Sequence, residues 1–598
     1  MKKNLKSFLT LAMVGSMLIS FAACGSKDNA GNTSAVTGNS TVSSASTSTE
    51  AKKDPYKIDV FTMLGNKAGD QTGWYAKMIK DRFNIEMNMI ASNVEGGDTK
   101  FATMMAAGDL GDIVIFGNDT DNKWQDALKA NALLDWTQNG LLDTYGKDIT
   151  SNYSKAVDKN KLNFGGGKSV YGLGFSAANM PKGPSEGEFM TYQSDMRWDL
   201  YEKLGKPAIN SPEEMLDVLK KMQELEPKSE SGKPTYAFSM WADWDGNFMM
   251  NTKVFAALFG YDEGDGFNDA GFLLYNPEDG SMQDALDPNG WYIRVLKLYF
   301  KANQMGLVDP DSISQKFEDV QNKYKDGQVL FCWFPWLDSM YDTPERLAAG
   351  KGFRFVPIAG QKIISYGFDQ NGGNRIISIG AKAEQPDRIM ELINWMYTPE
   401  GIMANYNGPE GLTWEIKDGK PVLTDFGKKA LPNNPVDVPA EFGGGNFKDG
   451  QNQMNFENVN RNSTNPATKE PYDYRLWTSY LQANTNTLIE SWRSAMGGAL
   501  TAKDYVVKNN LYTVKMPVFT GKAAETRPDA LVQKQGQVAT VIKQYSWKLI
   551  FAKDQANFDS LLSEMTKKAK GLGYDEVVKW NKDHAAQVYE FLKASESK

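Results

Sequence analysis

The sequence contains very few of the residues on which most catalytic and metal centres depend. Among its 598 residues there are two cysteines and one histidine, His584. Two cysteines exclude a disulfide scaffold and a cysteine-rich metal or iron–sulfur site, and one histidine leaves no pair for a zinc motif. No phosphate-binding P-loop or dinucleotide fingerprint is present either. The sequence therefore favours a protein that is not an enzyme.

An excess of positive charge is also missing. The chain has 66 Lys and Arg residues against 74 Asp and Glu residues, a formal net charge of -8. Proteins that bind nucleic acid neutralise phosphates with a basic surface. We therefore expect no nucleic-acid partner.

The N-terminus has the pattern of an export signal. Lysines precede an uncharged, mostly apolar run, 8–21, which is too short to span a bilayer. The run ends in Ala22-Ala23-Cys24, which resembles the lipobox of bacterial lipoproteins. That resemblance implies a signal peptide over 1–23 and diacylation of Cys24; the alternative is an ordinary secretory signal. Residues 24–54 are rich in Ser, Thr and Gly, without aromatics, and predict a disordered tether.

Hydrophobic periodicity predicts an α/β fold at the start of the globular region. Alternating apolar residues indicate strands at 58–64, 85–89 and 113–116, and helical spacing indicates helices at 74–83 and 99–107. A strand–helix repeat of this kind builds a parallel sheet, whose ligands lie beyond the carboxyl ends of the strands.

Polar residues follow these predicted strands. Asn66 follows the first strand, and Asn118 and Asp119 follow the third. Their position makes them candidate ligand-binding residues. The alternative is that they make local turns and helix caps.

Three later segments carry recognisable motifs. They are Arg197–Pro207, which precedes a Ser211-Pro212 helix start with the capping-box pattern; Gly327–Trp336, a strand that enters an aromatic Pro-Trp motif; and 376–401, a return strand followed by two helices, the second starting at Thr398-Pro399. In this order the segments resemble the extracellular solute-binding proteins of ABC importers, in particular the maltodextrin-binding-like lipoproteins that take carbohydrate.

The resemblance implies an α/β fold of the periplasmic-binding-protein type II class, with two α/β lobes joined by a hinge and a ligand cleft between them. We expect lobe 1 to contain 55–185 and about 370–430, and lobe 2 to contain 186–369 and about 431–598.

Grouped tryptophans and carboxylates are the main candidates for a ligand site. An indole packs against the C–H face of a sugar, and a carboxylate accepts hydrogen bonds from its hydroxyls. Trp336 matches the family's cleft tryptophan, which supports it as a ligand-binding residue. Asn374 and Arg375 precede the return strand, and this position makes them candidates as well. The alternative for each tryptophan is core packing. The aromatic and acidic candidates are Trp241, Asp243, Trp244, Trp333 and Trp336.

Two acidic loops, 243–246 and 262–266, indicate calcium weakly, because neither follows the EF-hand spacing. We otherwise expect no cofactor. Cys332 is expected to be a buried hydrophobic residue.

These expectations together describe a monomeric lipoprotein on the extracellular face of a bacterial cell membrane. It would capture an oligosaccharide and deliver it to the permease subunits of an ABC transporter, with membrane contact through its lipid anchor alone. The alternatives are a secreted glycoside hydrolase and a binding protein that takes peptides or feeds a sensor.

Overall fold

The computed structural model describes residues 53–119, 122–263, 271–432, 434–515 and 527–596, with side chains up to 590. The predicted signal peptide, Cys24 and almost all of the predicted tether lie outside these residues. Within the described ranges, no helix combines the length and the apolar character that a membrane crossing requires.

The strands and helices alternate along much of the chain. The strands are β1 (Tyr56–Thr62), β2 (Gly69–Asp70), β3 (Ile85–Ala91), β4 (Ile113–Phe116), β5 (Leu173–Gly174), β6 (Asp195–Arg197), β7 (Asp262–Glu263), β8 (Leu273–Tyr275), β9 (Met282–Asp284), β10 (Phe331–Cys332), β11 (Phe353–Phe355), β12 (Ile363–Ser365), β13 (Ile376–Ile379), β14 (Trp414–Lys417), β15 (Lys420–Leu423) and β16 (Tyr512–Val514). The α-helices are α1 (Gly73–Phe83), α2 (Gly97–Ala107), α3 (Asn122–Lys129), α4 (Leu141–Tyr145), α5 (Lys147–Asn152), α6 (Ser154–Asn163), α7 (Trp198–Lys203), α8 (Pro212–Leu225), α9 (Met250–Ala257), α10 (Trp291–Gln304), α11 (Phe317–Asp326), α12 (Pro335–Asp338), α13 (Pro344–Ala348), α14 (Pro386–Trp395), α15 (Pro399–Asn407), α16 (Asp425–Ala430), α17 (Thr478–Ala483), α18 (Thr487–Ala495), α19 (Ala502–Lys508), α20 (Asp529–Ile550), α21 (Gln555–Gly571) and α22 (Tyr574–Glu596). Short 3₁₀ turns cover Gln138–Gly140, Pro310–Ile313, Ala440–Phe442 and Tyr474–Leu476.

The first lobe is built on a sheet with the strand order β2-β3-β1-β4-β13-β5. β1 pairs in parallel with β3 and β4, which confirms the strand–helix repeat predicted from periodicity. β13 returns antiparallel to β4 and β5. Alternate residues along a strand point to opposite faces; Ile58 and Val60 pack into one core cluster, whereas Phe61 packs into another on the opposite face.

The second lobe has its own hydrophobic core. It surrounds a small antiparallel sheet with the order β10-β6-β11, and helices α8 to α10 and α20 to α22 pack around it. Helix α14 packs into the core of lobe 1, and helix α21 packs into the core of lobe 2.

The chain passes between the two cores three times within the described residues. The first crossing joins β5 to β6, the second joins β12 to β13, and the third joins α17 to α18. The first two run side by side, because the Ala178 N–H donates to the Asp369 carbonyl at 2.9 Å and the Phe368 N–H donates to the Gly183 carbonyl at 3.2 Å. Paired crossings of this kind form the hinge.

The third crossing differs from the predicted lobe boundary near 431. Phe447, Phe456, Tyr472 and Trp477 all pack into the core of the first lobe, and the second lobe resumes at Leu488. Residues 431–480 therefore belong to lobe 1 by packing. Few regular elements cover this segment, so its periodicity gave no sign of the face on which it packs.

The two predicted helix starts, at Ser211 and Thr398, are both capped by their hydroxyl groups, but the capping box predicted at Ser211 forms only in part. The Thr398 hydroxyl accepts from the Gly401 N–H at 3.2 Å, and the Ser211 hydroxyl accepts from the Glu214 N–H at 3.1 Å. The Glu214 carboxylate, however, accepts from the Asn210 N–H instead of completing the reciprocal bond to Ser211.

Candidate functional site

The polar residues at the strand ends of lobe 1 meet at one edge of the sheet. β13 runs antiparallel to β4, so the residues before β13 lie beside those after β4. The Asp119 N–H donates to the Asn374 carbonyl at 2.7 Å, with Asn118 and Arg375 next to them in sequence. Asn374 and Arg375 are exposed. The structure therefore brings together two pairs of residues that are far apart in the chain.

Two of the lobe 1 candidates also have local structural roles. The Asp119 carboxylate is 4% exposed and lies 3.8 Å from the Lys159 ammonium, which donates to the Gly372 carbonyl at 2.7 Å. Asp119 thus compensates a largely buried cation and holds the turn before β13. The Arg375 guanidinium lies over the Phe175 ring, 4.7 Å from its centroid.

Asn66 is exposed after β1, and its backbone N–H donates to the Gln453 carbonyl at 3.1 Å. It lies at the same carboxyl edge of the parallel strands as Asn118. Its side chain is available to a ligand there.

Lobe 2 presents an aromatic cluster with two exposed indoles, which we call the aromatic shelf and define as Trp244, Phe317, Phe334 and Trp336. The Trp244 ring centroid lies 4.4 Å from that of Phe317 and 6.1 Å from that of Trp336. Trp336 lies 5.6 Å from Phe334. Trp244 is 41% exposed and Trp336 47% exposed, so both indoles offer a face to a ligand.

Asp243 fixes the loop that carries Trp244. Its carboxylate accepts from the Lys316 ammonium at 2.8 Å and from the Phe317 N–H at 3.0 Å, which joins the loop to the start of α11. The Lys316 hydrogen bond is also the main cause that lowers the pKa of Asp243. Asp243 therefore positions the shelf, and its two bonds occupy the carboxylate that we expected to meet a sugar hydroxyl.

Two of the predicted tryptophans have no exposed face, and the expectation that they touch a ligand is corrected. Trp333 is 0% exposed and stacks on Phe238 at 5.8 Å inside the core of lobe 2. Trp241 is also 0% exposed and lies beneath the shelf, 5.2 Å from Trp244. Both are core residues, the alternative that the sequence left open.

A cavity of about 490 Å³ lies beside the shelf and shares Trp336 with it. Its walls come from β6, α12, β11, the first crossing and the segment around the third crossing. Its apolar lining includes Phe189, Leu481 and Trp492, and its size is within the range of small-molecule sites, roughly 300–1,000 Å³. Because two crossings contribute to its wall, the cavity is placed to respond to movement of the lobes.

Two neighbouring carboxyl groups lie in this cavity. Asp195 is 1% exposed and accepts from the Gln193 amide at 2.9 and 3.1 Å. Burial raises its pKa to about 6. Burial, followed by the adjacent Asp195 carboxylate, raises the pKa of Asp338 well above its usual range.

Sequence analysis missed Asp195 and the cavity itself. Asp338 follows the Trp-containing segment that was singled out, so its position was a usable signal. Asp195 opens a three-residue strand and carries no motif that could have identified it.

The predicted calcium loops remain a prediction. Asp243 is engaged by Lys316, and part of the second loop lies outside the described residues. Over the ranges that the structure covers, no group of three or more acidic, cysteine or histidine side chains has an arrangement that could hold a metal ion.

Cys332, as expected, is fully buried at the end of β10, and its thiol donates to the Phe334 carbonyl at 3.2 Å. Burial raises its pKa well above the usual range.

No protein-family model and no curated protein matches the chain. Among solved structures, an HMO-binding, ABC-transporter-associated solute-binding protein from Bifidobacterium longum infantis has a TM-score of 0.51 at 16% identity, covering 90% of this chain and 99% of the other. The FusA substrate-binding protein of Streptococcus pneumoniae, in complex with kestose, has a TM-score of 0.48 at 13% identity, covering 89% of this chain and 99% of the other.

The N-glycan transport protein NgtS of Streptococcus pneumoniae has a TM-score of 0.48 at 15% identity, covering 90% of this chain and 99% of the other. At these identities the likeness concerns the fold. The chain therefore has the two-lobed α/β fold of solute-binding proteins associated with ABC transporters, which confirms the predicted fold class.

Proposed function

We propose that this chain is an extracellular substrate-binding protein that captures an oligosaccharide and delivers it to the permease of an ABC transporter. The observation that carries the proposal is the pair of exposed indoles, Trp244 and Trp336, held beside a cavity at the crossings of a solute-binding fold. Neighbouring indoles suit the stacked C–H faces of successive sugar rings. The match with the HMO-binding protein supports a saccharide ligand.

The proposed mechanism is closure of the two lobes on the ligand. Asn66, Asn118, Asn374 and Arg375 would supply hydrogen bonds from lobe 1, opposite the shelf of lobe 2. A ligand that contacts both lobes binds the closed state more tightly and shifts the population towards it. The permease would then recognise the closed form.

The anchoring and assembly of the protein are further parts of the proposal. Diacylation of Cys24 would supply two acyl chains, enough for stable attachment where one chain is marginal. Residues 24–54, as a flexible coil of about 30 residues, would reach roughly 30 Å from the membrane. We propose that the protein acts as a monomer at the extracellular face of the membrane; the mass of protein extracted from membranes tests the acylation.

The decisive experiment is a thermal-shift screen of the purified protein against oligosaccharides from xylan, arabinan, mannan, pectin, host glycans and starch. A ligand at 100 times its dissociation constant adds about 2.7 kcal/mol to stability, which such a screen resolves. A hit is then examined by small-angle scattering, where compaction is expected. Silence across the panel, or cleavage of a hit, would overturn the proposal; cleavage would favour the hydrolase alternative.

A further inference from the structure

The cavity beside Trp336 has more carboxyl groups than cationic groups in its lining. Four carboxyls line it, and the only cations among the described lining residues are the guanidinium groups of Arg354 and Arg493. Arg354 pairs with Asp342 at 2.8 Å. Glu188 lies within electrostatic range of Arg493 and Arg475. The negative charge without a cationic partner therefore lies on the other two lining carboxyls, Asp195 and Asp338.

One oxygen atom of Asp338 is a buried acceptor without a donor. The residue is 8% exposed, and its Oδ1 atom is buried with no hydrogen-bond partner. A buried acceptor left unpaired costs stability, so a group that supplies a hydrogen would be bound favourably at this position. Asp195, beside it, has the Gln193 amide as its hydrogen-bond donor.

We propose that this cavity receives the free amino group of an unacetylated hexosamine in the bound oligosaccharide. The inference rests on the proposed function and narrows its substrate class. An ammonium group has three donors and one positive charge, which match the unpaired Asp338 oxygen and the surplus charge of the carboxyl pair. The sugar ring that bears the amine would pack against Trp336, which borders both the shelf and the cavity.

An N-acetylated sugar fits this cavity poorly. An acetamido group has one N–H and no charge, and it would leave the carboxyl pair without a counterion. A site built around a polar partner discriminates strongly against an analogue that lacks it, because its buried groups are then left unpaired.

The protonation of the pair agrees with this assignment. Without a cation the two carboxyls hold a proton to unusually high pH, because both are buried side by side. Entry of an ammonium group would release that proton to solvent. The other charged or titratable groups near the pair are Tyr324, Cys332, Asp342, Arg354, Glu188 and Arg493.

The test compares glucosamine oligomers with their N-acetylated counterparts of equal length, by isothermal titration calorimetry at pH 6. We expect the amine form to bind about 10- to 100-fold more tightly, since hydrogen bonds to charged groups are the strong ones. Asp338→Asn should remove most of this preference and leave the affinity for the N-acetylated oligomer unchanged. Glu213→Gln, an exposed carboxylate paired with Arg294, is the matched control and should change neither.

The outcomes separate this inference from the proposed function. Equal or tighter binding of the N-acetylated oligomers would overturn the amine assignment while leaving saccharide capture intact. A preference that survives in Asp338→Asn would overturn it as well. If that variant does not fold, titration of the wild type in buffers of different ionisation enthalpy decides, because amine binding should release a proton and N-acetyl binding should not. Failure of every oligosaccharide, charged or neutral, would remove the proposed function itself.

Discussion

Replacing Trp336 by alanine should weaken saccharide binding by about 60-fold. Its side chain is 47% exposed, which for a tryptophan of roughly 200–250 Å² leaves about 100 Å² for a ligand to cover. At about 25 cal/mol per Å² this area corresponds to about 2.5 kcal/mol, or just under two factors of ten in the dissociation constant. Calorimetry with the tightest saccharide from the panel measures the loss directly.

The controls for this prediction separate ligand contact from loss of structure. Ile416→Ala removes a residue of similar exposure, 43%, from the β14–β15 hairpin of lobe 1, and should leave affinity unchanged. Trp336→Ala also loses ring contacts with Trp244 and Phe334, so its unfolding free energy should fall by about 1 kcal/mol. A loss of affinity below about threefold in a folded variant would refute the assignment of Trp336 to the ligand site.

Three further predictions concern the interior of lobe 2. Arg197 is fully buried and donates to Asp199 at 2.8 and 2.9 Å. Arg197→Met should destabilise the protein by about 3–5 kcal/mol in urea titrations, because it leaves a buried carboxylate without its counterion. A loss of stability below about 1 kcal/mol would contradict this prediction. Burial raises the pKa of Asp195 to about 6 and that of Asp338 well above its usual range, so the folded state holds more protons and stability is lost as pH rises from about 4 through 6. Asp338→Asn should therefore gain stability relative to wild type as pH rises through this interval, and a constant difference would be inconsistent with shared protonation. Cys332 should resist a thiol reagent in the native protein and react fully in denaturant; rapid native labelling would show that the core opens.

The first lobe could be predicted from sequence because its signals are local. Strands β1, β3 and β4 and helices α1 and α2 follow hydrophobic periodicity within a few residues of the predicted bounds. β2 and β5, of two residues each, leave no periodic trace. β13 could be placed in the sheet only through the family resemblance, because its partner β4 lies far away in the chain.

The segment after α16 shows where sequence reasoning ends. It contains few regular elements, and distant side chains hold it in place. The Trp74 indole donates to the Phe447 carbonyl at 2.9 Å, and the Gln71 amide donates to the Gln451 carbonyl at 2.9 Å. Neither hydrogen bond leaves a pattern in the local sequence. The predicted lobe boundary therefore fell before this segment instead of after it.

The candidate site divides in the same way. Asn118 and Asp119 were named from the end of one strand, and Asn374 and Arg375 from the start of another; sheet topology brings the two pairs together. The Asp195–Asp338 pair had no such rule, since it depends on the pairing of β10 with β6, which brings the α12 segment near Asp195.

The tryptophans show why composition indicates a candidate site without identifying which indoles are exposed. Trp241 and Trp244 lie three residues apart, as do Trp333 and Trp336, yet in each pair the first is buried and the second exposed. Trp241 packs directly beneath Trp244 and limits the movement of that exposed indole. The entropic cost of ordering the shelf is then met largely on folding and not on binding, which raises the affinity available to a ligand. If the shelf binds saccharide as proposed, the buried Trp241 contributes to recognition without touching the ligand.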